Sequence, residues 1–133
     1  MNTQPAANPP APTVEQVLAN MTVNLDGYVP AAIQHAARVI PDLVTRHAQD
    51  SAFAMPKEGG ALSDQTRTLI YLGIALATGS QTCVEAMTGK ARGLGIEDAQ
   101  LLETVKIARF ARASQVIGNS EYVFAAIADR SGQ

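Results

Sequence analysis

The stretch Leu62-Ser63-Asp64-Gln65-Thr66-Arg67-Thr68-Leu69-Ile70-Tyr71-Leu72-Gly73-Ile74-Ala75-Leu76-Ala77-Thr78-Gly79-Ser80-Gln81-Thr82-Cys83-Val84-Glu85-Ala86-Met87 decides the fold. Ser63 stands where a helix N-cap belongs, and a proline-free apolar run continues from it to about Thr78. Leu69, Ile70, Leu72, Ile74, Leu76 and Ala77 nearly encircle that helix, which predicts a buried central element. Gly79 stops it, and Ser80 caps a second helix from Gln81 to about Leu94, closed by Gly95.

The flanking sequence reads the same way. Upstream, Thr13 is the N-cap of a short helix over Val14 to Met21, and Asp26-Gly27 makes a turn. Pro30 opens a helix over Ala31 to Ile40, because a first helical residue needs no N–H partner. Pro41 must break or restart it, and Asp42 to Ala54 follows. Pro56-Lys57-Glu58-Gly59-Gly60 is the clearest loop. Downstream, Glu97 to Ile117 forms a long helix with Leu101, Val105, Ala108 and Ala111 along one stripe. Gly118-Asn119 ends it, and Glu121 to Asp129 makes a last short helix. No segment alternates with period two for long enough to form a strand, so the fold class is all-α. Residues 1–12 read as a disordered tail and 13–133 as one helical domain.

Composition narrows the function classes. Of 133 residues, 47% are hydrophobic and 17% charged, a globular balance. The net charge of −2 and an aromatic content of 5% without tryptophan argue against a nucleic-acid surface. Apolar runs are too short to span a membrane, and the start lacks an export signal, so the cytoplasm is the expected compartment. One cysteine excludes an internal disulfide and any multi-thiolate metal site within the chain. His35 and His47 have no acidic or cysteine partner at ligand spacing, so no metal site is expected. Lys106, Arg109 and Arg112, with Lys90 and Arg92, read as a solvated or ion-pairing face. No cofactor is implied. A central helix apolar nearly all round is more than so small a domain covers alone, which points to a homo-oligomer.

Cys83 is the chemically pointed residue. With Ser80 as N-cap it is the third helical residue, near unpaired N–H groups and the positive end of the helix dipole, where a thiolate is favoured. Ser80 is positioned to accept from the Cys83 N–H, and Met87 falls on the same face. Cys83 as a small buried hydrophobe beside Met87 as core filler is the alternative.

The run Leu62 to Ile70, the apolar helix, the segment Thr78-Gly79-Ser80-Gln81-Thr82-Cys83-Val84-Glu85-Ala86-Met87, then Ala91 and Gly95-Ile96-Glu97-Asp98, together resemble the carboxymuconolactone decarboxylase and alkylhydroperoxidase D-like superfamily. The resemblance covers about Pro30 to Ile127 and implies a helical bundle that assembles into dimers, trimers or hexamers. In the redox branch the equivalent helix carries Cys-x-x-Cys, a histidine four residues later, and a glutamate twelve residues before the first cysteine. The second cysteine matches Cys83, whereas the first matches Ser80, the histidine Met87 and the glutamate Thr68. Three of the four positions are lost, and a dithiol cycle within one chain is excluded.

One-cysteine chemistry survives as an implication: peroxide oxidises Cys83 to a sulfenic acid, and an outside thiol reduces it, with Ser80 and Thr82 as hydrogen-bonding neighbours. Decarboxylation of carboxymuconolactone is not expected, because that branch uses a histidine at about Met87. The alternative is a non-catalytic scaffold or small-molecule binding protein, with an apolar pocket at Ser80, Cys83 and Met87. A remaining option is acid–base chemistry on an unassigned substrate through Glu85 or Tyr71.

Overall fold

The computed structural model describes residues 10–132, so the tail reading falls largely outside it, and Pro10 to Pro12 carry no helix. Among the described residues there are seven helices and no strand: α1 Val14–Asn24, α2 Ala31–Val39, α3 Pro41–Ala54, α4 Asp64–Thr78, α5 Gln81–Gly93, α6 Asp98–Asn119 and α7 Glu121–Ser131. The all-α reading and the order of elements hold.

Local chemistry sets most of the boundaries. Thr13 Oγ1 accepts from the Gln16 N–H at 3.2 Å while the Gln16 side chain accepts from the Thr13 N–H at 2.9 Å, a reciprocal cap. Ser63 Oγ accepts from the Thr66 N–H at 3.1 Å and starts α4 as expected. Pro41 restarts rather than bends the chain: α2 ends at Val39, and Pro41 is the first residue of α3. Three helices run past the ends given by the sequence reading, α7 reaching Ser131. α1 continues to Asn24. α6 passes through Gly118, whose φ is not positive; a glycine weakens a helix but ends it only where the chain turns left-handed.

The body is α4 packed between α5 and α6, with α1 against α3 and α5, and α2 against α3. Leu25, Leu72, Ala86 and Met87 form the central cluster, backed by Met21, Tyr28, Leu76, Val84 and Leu101. Two expectations need correction here. α4 is not covered all round: Thr68, Leu72 and Ala75 are buried, whereas Ile70 and Ile74 are 49% and 58% exposed. Only the sides facing α5 and α6 have partners within the chain. On α6 the buried positions are Thr104 and Ala108, with Leu101 half-buried, so the stripe sits one residue away from Val105, which is largely exposed. Beyond Ala108 the chain leaves the body, and every residue from Arg109 to Gly132 except Ser120 is exposed.

Arg67 ties the 55–62 loop to this body. Its guanidinium donates to the carbonyls of Leu62 and, at 2.7 Å, Pro56, with the side chain only 9% exposed. Asp64 lies beside it and pairs with Lys90 Nζ at 3.0 Å, joining α4 to α5.

Candidate functional site

Gly79 closes α4 in the left-handed conformation, φ +78°, and the Ser80 N–H donates back to Ala75 O at 3.0 Å. This turn brings α5 back against α4, and the first turn of α5 lies beside the middle of α4. Cys83, third in α5 and half-buried, thereby meets Tyr71 of α4, and Cys83 Sγ lies 3.3 Å from Tyr71 Oη. The hydrogen bond to Cys83, together with partial burial, pushes the Tyr71 phenol up to about 12. Hydrogen bonding to Cys83 is the leading cause, burial the next and Cys83 charge the third.

A second pair lies alongside. Tyr28, in the turn between α1 and α2, donates its hydroxyl to Glu85 Oε2 at 2.8 Å. Gln81 Nε2 reaches the other Glu85 oxygen at 3.4 Å. The hydrogen bond to Glu85 raises the Tyr28 phenol, and burial and the charges of Glu85 and Cys83 add to it. Tyr28 can approach α5 because Gly89 has no side chain: a Cβ there would collide with the carbonyl oxygen of Leu25. The arrangement thus places a thiol, two protonated phenols and one carboxylate around the first turns of α5.

The residues expected at the site divide. Cys83 is half-buried, whereas the alternative reading made it a small buried hydrophobe. Ser80 occupies the N-cap but its side chain makes no capping bond. Its ψ of 88° differs from the 160° and 157° of Thr13 and Ser63, which turn their oxygens toward the N3 amide. Only the Ser80 backbone takes part, accepting from the Val84 N–H at 3.0 Å. Thr82 is exposed. Thr68 is fully buried, and its hydroxyl donates to Asp64 O within its own helix at 2.8 Å. Met87 packs in the central apolar cluster.

Neither of the two cavities described is lined by Ser80, Cys83 or Met87. One is an apolar trough of about 500 Å³ between α4 and α6. The other is a recess of about 310 Å³ bordered by Tyr28, Glu85, Thr88 and Arg92. His35 and His47 are exposed on α2 and α3, and His35 Nδ1 sits 2.9 Å from Arg38. Among the described residues no cluster of three or more His, Cys, Asp and Glu is placed to hold a metal ion, and no helix is long and apolar enough to cross a membrane.

Tyr71 entered the sequence reading only as an unassigned acid–base residue, and its pairing with Cys83 was not anticipated. The signal was partial: a tight glycine turn sets α4 and α5 side by side, but Tyr71 lies eight residues before Gly79 and Cys83 four after it, so counting from the turn does not pair them. Tyr28 carried no such signal, since it lies 57 residues from Glu85. Residues 41–120 match the model of the carboxymuconolactone decarboxylase family. No curated protein matches the chain.

Proposed function

Because the chain belongs to the carboxymuconolactone decarboxylase family, we propose that it is an alkylhydroperoxidase D-like protein that reduces hydroperoxides through Cys83 alone, drawing electrons from an outside thiol. The observation that carries this reading is the 3.3 Å contact between Cys83 Sγ and Tyr71 Oη at a half-open position. Where the redox branch of the family uses a histidine to move protons, Tyr71 supplies a hydroxyl that stays protonated at neutral pH.

The steps balance as follows. The Cys83 thiolate attacks the outer oxygen of the hydroperoxide; the S–O bond forms as the O–O bond breaks, and sulfur loses two electrons. The departing alkoxide takes the Tyr71 proton and leaves as an alcohol, and water returns a proton to the phenolate. An external thiol then displaces water from the sulfenic acid to give a mixed disulfide. A second thiol releases Cys83 as its thiol, and the two external thiols leave as a disulfide. Ser80 and Thr82 are the polar neighbours a hydroperoxide would meet at the turn. Self-association of the chain belongs to the same reading, and the exposed apolar surface of α4 supports it.

Thiol-dependent consumption of an alkyl hydroperoxide tests the assignment. Cys83→Ser is expected to abolish it, and Tyr71→Phe to slow it by about 10- to 100-fold, at or below the low end of what a positioned proton donor contributes. A wild-type rate no greater than that of Cys83→Ser overturns the assignment. That result favours the second reading, a binding protein whose apolar trough between α4 and α6 takes a small hydrophobic ligand.

A further inference from the structure

The smaller recess, about 310 Å³, lies where the turn after α1 meets α5, and it is at the low end of the volumes that hold small molecules. The turn is one wall. Asp26 and Gly27 both take the left-handed backbone, φ +55° and +84°, and the Tyr28 N–H closes the reversal on Leu25 O at 3.1 Å. A turn of this hand needs two such residues in succession, and aspartate and glycine are among the few types that accept it. The other wall is one face of α5, where Val84, Glu85, Thr88 and Arg92 recur at helical spacing. Gly89 lets the turn come down against that face.

Polar groups of opposite sign border this recess without meeting. Glu85 is fixed by the Tyr28 hydroxyl, which donates to it at 2.8 Å. Thr88 Oγ1 donates to Val84 O at 2.7 Å, which leaves its oxygen free to accept. Asp26 adds a second carboxylate, and Arg92 is the one cation among the bordering residues. The ion pairs of the described residues are Arg67–Asp64 and Lys90–Asp64, so Arg92 pairs with neither carboxylate although all three border one space. Arg92 follows Glu85 by about two helical turns, and helical side chains lean toward the N-terminus, which sends the guanidinium back along the recess.

We infer that the recess binds a small zwitterion, an α-amino acid with an apolar side chain. Its carboxylate takes the Arg92 guanidinium, and its ammonium takes Glu85, with Asp26 and Thr88 Oγ1 as further acceptors. Its side chain lies over Leu25 and Val84, the apolar residues of the two walls. Charge excludes the neighbouring ligand classes. A dicarboxylate would set its second anion against Asp26 and Glu85, and a diamine its second cation against Arg92. Cys83 does not border the recess, so binding there is independent of the thiol chemistry.

Titration of the full chain with L-leucine, followed by amide NMR, tests it. Amides of 25–28 and 84–92 are expected to shift saturably with a Kd of about 1 mM, the scale for so small a ligand in an open site. N-acetyl-L-leucine lacks the ammonium and L-leucinamide the carboxylate, and each is expected to bind at least about fivefold more weakly, as loss of a partly exposed ion pair implies. Arg92→Met is expected to weaken L-leucine by about fivefold and to leave L-leucinamide unchanged. Asp26→Asn, which keeps the left-handed backbone, is expected to weaken both. Both side chains are exposed, so the amide spectrum of each variant serves to show that the fold is kept. No saturable shift with L-leucine up to about 20 mM, or shifts centred elsewhere, would overturn the inference. So would either analogue binding as tightly as L-leucine, or Arg92→Met binding L-leucine as wild type does.

Discussion

Gly89 and Gly93 lie four residues apart on α5, and alanine at the two positions is expected to act in opposite directions. Alanine favours a helix over glycine by about 0.5–1 kcal/mol at either site. At Gly93 a Cβ would meet nothing within 4 Å, so that gain is retained. At Gly89 it would strike the Leu25 carbonyl oxygen, with the carbonyl carbon at 3.1 Å. That carbonyl has little freedom, because it accepts from the Tyr28 N–H at 3.1 Å and the Leu25 side chain sits in the core. Either α5 or the turn after α1 must retreat by roughly an ångström, at a cost of about 1–3 kcal/mol. The mid-range net effect is a loss of about 1 kcal/mol, and at the upper end about 2.5 kcal/mol. For a chain of this size each kcal/mol moves Tm by about 3–6 °C. Thermal and urea unfolding of wild type, Gly89→Ala and Gly93→Ala give the comparison. Gly89→Ala as stable as wild type, or both substitutions moving stability the same way, would refute the close approach of Leu25 to α5.

Tyr71 offers a pH-dependent check. Its phenol titrates at about 12 rather than the ordinary 10.0, so the stability it contributes is fully present below pH 10 and is lost as pH rises from 10 to 12. In Cys83→Ala its midpoint, followed by tyrosine NMR, is expected to fall toward 10, with a smaller change at Tyr28, whose main partner is Glu85. An unchanged Tyr71 midpoint would mean that the contact with sulfur is not made in solution. Arg67→Met removes the donor from the Pro56 and Leu62 carbonyls and is expected to cost about 2–4 kcal/mol. Faster proteolysis within 55–62 should accompany that loss. Unfolding and cleavage rates equal to wild type would argue that water replaces the guanidinium.

The fold was legible because its signals are local. Ser63, Gly79 and Gly95 punctuate the chain through backbone preferences that need no distant partner, and the Pro41 restart follows from a missing N–H. The site was legible only in part. Cys83 is found third in α5, where helix phase places it, whereas Thr68 is fully buried and Met87 packs in the central cluster. Ser80 nonetheless forms no side-chain cap, because its ψ is set by the tight turn from α4, a tertiary demand that residue type does not encode. The α6 stripe slipped by one position for a related reason. Val105 is the more apolar residue, but Thr104 faces Gly73 of α4, and its hydroxyl is satisfied by Gln100 O at 2.9 Å. Exposure of α7 and the end of α6 could not be read at all, since an amphipathic stripe does not say whether the chain itself covers it.

The Gly79–Ser80 turn also bears on the order in which the molecule assembles. Contacts between α4 and α5 join residues close in sequence, Tyr71 and Cys83 being only 12 apart, and such contacts close at little entropic cost. The hairpin is therefore the natural folding nucleus. Tyr28 must wait for a loop of 57 residues to close before it reaches Glu85. The thiol is thus set against its phenol early in folding, and the carboxylate receives its tyrosine late.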